Sequence, residues 1–236
     1  PRALSLFQES ADKLQDTADI QFHLGMAHYM MGHEAEARST LQHALELDKN
    51  TADADEIKLR LSVLTMDVGA AGARAALEKA LANQKDDPIV LTRLAAVYKR
   101  EGAADKAIST YQAALQASPA NVDAMLNLIQ LYVAQSNTPK ALETAKAARN
   151  AAPNDPDIAH ALGRLTFQSG DYPHAMPLLQ EAARKEPDDA EIQYDFAESA
   201  YSGGRVADAE AALRHALDLS KGAAGALPER AEKARH

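Results

Sequence analysis

The chain has 236 residues, 46% of them hydrophobic and 25% charged, a balance that suits a packed globular core. Its 34 acidic against 25 basic residues leave a net charge of −9, which argues against nucleic acid and anionic membrane surfaces, since both select basic faces. With no cysteine it forms neither disulfides nor thiolate metal sites, and no apolar run reaches the roughly 18 residues that would cross a bilayer.

In chain order, the first stretch, "PRALSLFQESADKLQ", reads as a helix. Its Ala3, Phe7 and Ser10 fall 34 residues before Ala37, Leu41 and Ala44. The next, "LGMAHYMMG" from Leu24, has counterparts at Leu94, Leu128, Leu162 and Phe196, and the last four are spaced by 34 residues. Alanines at 37, 107, 141, 175 and 209 keep the same phase, as do those at 44, 114, 148, 182 and 216. Pro119, Pro153 and Pro187 are also 34 apart. A period of this length is the signature of a helical repeat array.

Each unit reads as two helices. In 88–121, Leu91, Leu94, Ala95 and Tyr98 form an i, i+3, i+4, i+7 stripe. Gly102 ends that helix, and Ala107, Ile108, Tyr111, Ala114 and Leu115 line one face of the second. Pro119 then stops the second helix. The unit at 52–87 is irregular: Leu24 to Leu94 spans 70 residues, two more than a pair of regular periods, and "DEIKLRLSVLTMD" fits the pattern badly. It is expected to be the weak joint of the array and to exchange amides faster than the units after Pro88.

These landmarks resemble the tetratricopeptide repeat family. Leu24, Gly25, Gly32, Ala37, Leu41 and Ala44 carry the resemblance in one unit, and Leu162, Gly163, Gly170, Ala175, Leu179, Ala182 and Pro187 in another. Lys49 and Lys221 depart from it, standing where proline is expected. The resemblance implies an all-α, right-handed superhelical solenoid of antiparallel helix pairs, about 14 helices in one domain. Residues 1–17 would be the second helix of a truncated repeat. Repeats would follow at 18–51, 52–87, 88–121, 122–155, 156–189 and 190–221, with a linker and a capping helix at 222–236.

Catalytic chemistry is not legible. "HEAEA" at 33–37 has Ala37 where a zinc motif needs its second histidine. His28 and His33, five apart, stand about 140° apart around a helix and are expected to diverge instead of converging on a metal. No phosphate loop or nucleophile elbow occurs, and the carboxylates of "EPDDAE" at 186–191 fit a helix start. No catalytic residue, metal or cofactor is expected.

The resemblance implies a concave groove lined by first helices and a protein or peptide partner within it. By position the groove set is Phe22, Met26, Tyr29, Met30, Lys58, Lys99, Arg100, Gln130, Arg164, Phe167, Tyr194 and Tyr201. The family's lysine and asparagine clamp for a chaperone tail does not carry over. Its positions hold Thr92, Ala96, Leu126 and Gln130, and Ser62 replaces the asparagine beside Lys58.

The function expected is a non-catalytic scaffold that holds a peptide or partner helix during assembly of a bacterial multiprotein complex. Two alternatives stand beside it: an envelope protein of an exopolysaccharide or exosortase system, and the regulatory module of a larger enzyme. Localisation leans to the periplasm or envelope, with cytoplasm as the alternative. Self-association through Phe7 and Leu14 at an open solenoid end is a further expectation.

Overall fold

A computed structural model describes residues 2–13 and 17–222. Among them are thirteen helices and no strand. The linker and capping helix expected at 222–236 lie outside the described residues, apart from Gly222, and so does Leu14. The chain divides into two compact units, Pro1–Leu131 and Tyr132–His236.

The first unit holds α1 (Arg2–Lys13), α2 (Ala18–Met31), α3 (Glu34–Leu47), α4 (Ala54–Leu64), α5 (Ala73–Asn83), α6 (Pro88–Arg100), α7 (Ala104–Ala117) and most of α8 (Val122–Ala134). α2 packs on α3, and α6 on α7, as antiparallel pairs. Gly25 makes the first pairing possible: a Cβ there would lie 2.7 Å from Leu41 Cγ. Leu41 is fully buried, so an added methyl would overpack the joint at a cost of about 1–3 kcal/mol. Leu91, Leu94, Ala95, Ala107, Tyr111 and Ala114 are buried, as their stripes require.

The irregular unit differs from its neighbours in a definite way. α4 and α5 have 11 residues each, against 13 or 14 elsewhere in the regular pairs of this unit. They are joined by residues 65–72, whereas α6 and α7 are joined by 101–103. α4 packs on α3 and α6, and α5 on α6. α2 also reaches α6 directly, past the intervening pair. One core therefore runs from Phe22 and Tyr29 through Ile57, Leu64 and Leu77 to Ile89 and Val97.

The second unit holds the end of α8, then α9 (Thr138–Ala151), α10 (Pro156–Gln168), α11 (Tyr172–Lys185), α12 (Ala190–Ser202) and α13 (Val206–Gly222). α10 packs on α11 and α12 on α13. Gly163 lies over Leu179 as Gly25 lies over Leu41, its Cβ position 2.8 Å from Leu179 Cγ. The carboxylates at the unit junctions are helix caps. Asp155 accepts from the Ile158 backbone N–H at 3.0 Å, and Asp189 accepts from those of Glu191 and Ile192 at 2.8 and 2.9 Å. Each satisfies N–H groups that a helix start leaves unpaired.

Turns after the first helices share one backbone device. Gly32, Gly102, Gly170 and Gly204 all have φ between 75° and 84°. At the equivalent place Ser136 has φ 56° and is the one non-glycine residue with positive φ among those described. Its N–H donates to Val133 O, and the next N–H donates to Tyr132 O, the paired bonds of a Schellman stop.

Candidate interaction surfaces

In the first unit the direct approach of α2 to α6 is welded by a polar cluster. Asp87 caps α6, accepting from the N–H groups of Ile89 and Val90 at 3.1 and 2.9 Å. The same carboxylate accepts from the Tyr29 hydroxyl, 3.1 Å from either oxygen, and is ion-paired with Arg60 Nη1. Arg60 lies over the Tyr29 ring, 5.0 Å from its centroid, and donates to Glu56 and Gln84 at 2.8 and 2.6 Å. Burial, then the Asp87 charge, pushes the Tyr29 phenol well above its usual range. A buried charge left without its partner costs several kcal/mol, so the parts of this cluster depend on one another.

A second cluster closes α4. No glycine stops this helix; Thr65 follows it in a right-handed conformation. Arg93 reaches over from α6 and donates to the carbonyls of Leu64 and Met66 at 2.6 and 2.8 Å. Its other partner is Glu34, at 2.6 Å. A cation on terminal carbonyls does the work that a left-handed glycine does elsewhere. Burial raises the Glu34 carboxyl above its usual value although Arg93 opposes that.

This packing decides where the expected groove residues of the first unit lie. Tyr29 is fully buried, Phe22 is 8% exposed, and Met26 packs against the same core. They support the face from beneath. Met30 offers surface, at 41% exposure, and Lys58 is exposed beside Asp55. Lys99 and Gln130 are brought together: the ammonium donates to Gln130 Oε1 at 2.6 Å and to Asn127 Oδ1 at 2.9 Å. Both partners are neutral amides, and burial lowers the lysine pKa. Arg100 is turned elsewhere, to a cleft against residues 68–72.

The second unit brings Arg164 and Phe167 together around a small recess with Gln168, Leu179, Asp195 and Glu198. Arg164 reaches Glu191 at 2.7 Å and Asp195 at 3.1 Å, and His160 Nε2 lies 2.7 Å from Asp195. The Phe167 ring leans on Tyr172, centroids 5.1 Å apart. Tyr201, one turn beyond Glu198 on α12, is 70% exposed. Tyr194 is interior, packed with Leu213 and Ala216 of α13.

The two histidines expected to diverge come together instead. His28 Nδ1 and His33 Nδ1 lie 3.3 Å apart. The helical angle does not apply because Gly32 ends α2 and its left-handed turn folds His33 back over His28. Burial, then His33, lowers the pKa of His28. Among the described residues no group of three or more His, Cys, Asp or Glu could hold a metal, and no helix is long and apolar enough to cross a membrane.

Helix pairs of 34-residue period, stopped by left-handed turns and locked by small residues at the crossings, define an α-helical repeat protein. The chain belongs to the tetratricopeptide repeat family. Tetratricopeptide repeat models match residues 18–51, 70–122, 99–165 and 166–226, and the model spanning the last two segments alone covers more than half of the chain. Solved structures share the fold. That of pilF from Pseudomonas aeruginosa is 20% identical, with a TM-score of 0.63 over 93% of this chain and 97% of that one. That of MamA is 16% identical, with a TM-score of 0.56 over 70% and 91%. YrrB, described as a repeat protein with an unusual peptide-binding site, is 15% identical, with a TM-score of 0.51 over 97% of each. The comparison with curated proteins gives no match. The fold is that of a protein–protein interaction scaffold, and no catalytic family is indicated.

Proposed function

We propose that the chain is a non-catalytic scaffold that holds a peptide or helix of a partner protein against exposed side chains of its first helices. One observation carries this reading. In the second unit Arg164 and Phe167 meet at one recess, a cation beside a half-buried ring, and Tyr201 on the next first helix adds a strongly exposed ring. Packing does not need Tyr201 at 70% exposure, and aromatic and arginine side chains are the residue types that dominate interface energetics. In the first unit Met30, Lys99 and Gln130 supply the corresponding surface. The setting we propose is assembly of a bacterial multiprotein complex, with an envelope exopolysaccharide or exosortase system as the alternative. YrrB, with its peptide-binding site, is a precedent for the mode on this fold.

A photo-crosslinking amino acid at position 201 tests the reading. In cells, adducts to one defined partner are expected from position 201 and not from position 146, which lies on the second helix α9. Equal adducts from both positions would remove the first-helix face from the account.

A further inference from the structure

The two residues inserted in the irregular unit do more than lengthen a turn. Residues 68–72 stand off from α6 and leave a cleft of about 320 Å³, bounded by their backbone and by Arg74, Val97, Arg100 and Glu101. That volume is at the lower end of ligand pockets, about 300–1,000 Å³. Insertions in repeat arrays map to loops on one face, often a binding face.

The charges of the cleft are unequal. Arg74 is tied down, donating to Glu101 at 3.0 Å and lying 3.9 Å from Glu78. Among the described residues no ion pair or side-chain hydrogen bond holds the Arg100 guanidinium. Its guanidinium lies against the backbone of Gly69, where a Cβ would come within 2.2 Å of Nη1 and 2.9 Å of Cζ. A side chain at 69 would therefore displace the guanidinium from this position. The lining carries two cations against one anion, a local excess of one positive charge in a chain of net −9.

We infer that this cleft is a second docking site, and that it takes an Asp or Glu side chain of a partner's peptide on Arg100. The planar fork of arginine matches a carboxylate in two parallel hydrogen bonds. One unpaired guanidinium balances one single-charged carboxylate; a doubly charged phosphate would also face Glu101 in the same cleft. Val97, 4% exposed, gives the floor an apolar spot for the methylenes of the acidic residue. The site does not need the first-helix face of the second unit, so it stands or falls apart from the scaffold reading above.

The test is selection of a displayed random 12-residue peptide library on the full chain. Enriched peptides are then measured by fluorescence polarisation on wild type, Arg100→Gln, Gly69→Val and Arg164→Gln, with circular dichroism to establish that each is folded. Peptides bearing Asp or Glu are expected, losing at least about ten-fold in affinity on Arg100→Gln and on Gly69→Val and nothing on Arg164→Gln. Replacing the acidic residue by its amide should cause the same loss. The inference is overturned if no acidic peptide is enriched, if binding requires phosphoserine in place of the acid, or if Arg100→Gln binds as wild type does. Peptides that lose affinity only on Arg164→Gln would overturn the cleft and leave the scaffold reading standing.

Discussion

Ser136 occupies the turn position that glycine occupies at 32, 102, 170 and 204. A left-handed backbone costs an L-residue about 1–2 kcal/mol. Glycine returns part of that gain through its larger unfolded-state entropy. Ser136→Gly is thus expected to stabilise the chain by about 0.5 kcal/mol and to raise the melting temperature by about 1–2 °C; an unchanged or lower melting temperature would count against the strain. The His28 and His33 pair makes a pH prediction. Folding holds the His28 imidazole below its ordinary pKa of 6.5, so the unfolded chain binds the proton more readily. Stability falls as pH drops below about 6.5, and levels once the folded value is passed. Urea midpoints between pH 8 and 5 should therefore decline less in His33→Ala than in wild type. Parallel declines would show that the pair does not couple to folding. The approach of these rings was not legible in the sequence, because a helical wheel stops being valid one residue past the helix.

At the scale of elements, the regular pairs were readable from spacing alone, since Gly25 with Leu41 and Gly163 with Leu179 repeat one packing solution. The irregular pair was readable as irregular, from its two surplus residues and the poor fit of its first helix, but its repair was not. Arg93 and Glu34 are 59 residues apart, and Tyr29 and Asp87 are 58. Contacts of that reach follow from α2 meeting α6, which no local pattern encodes. The same meeting explains why Tyr29 and Phe22, groove residues by register, are interior.

Two predictions belong to this scale. Asp87→Ala takes from buried Arg60 one of its two carboxylate partners, from Tyr29 its acceptor and from α6 its cap, and should cost about 3 kcal/mol, whereas Tyr29→Phe removes one hydrogen bond to a charge and should cost about 2 kcal/mol. Chemical denaturation would reveal the ranking, and a milder effect of Asp87→Ala than of Tyr29→Phe would contradict it. The expected weak joint is also sharpened. α4 is held by Arg60 and Arg93, while α5 begins at Gly72 without a side-chain cap and buries only Ala73 and Leu77. Hydrogen exchange should be faster in residues 65–83 than in α4, and Arg93→Ala should raise the α4 rates towards those of α5. Uniform protection from α4 to α6 would refute the division.

For the whole molecule, repetition governs how far any change is felt. Each repeat contacts chiefly its neighbours, so stability approximates a sum of local and junction contributions, and a substitution on an exposed first-helix face leaves the other repeats intact. This is why exposed residues, and not the buried Phe22, Tyr29 and Tyr194, are the ones to alter when function is probed. The sequence made the class of the molecule legible through its period, and its acidic balance turned attention to protein partners. The charged placement of Arg100 and Arg164 could not be read from register, since one enters a cleft made by an insertion and the other is shared between Glu191 and Asp195.

The proposed scaffold holds its partners by the first-helix face. The most direct measurement is quantitative capture from soluble and envelope fractions by wild type and by a Phe167→Ser, Tyr201→Ala double variant of matched thermal stability. A defined partner is expected, enriched on wild type and reduced at least about ten-fold on the variant. A partner retained equally by both would contradict it.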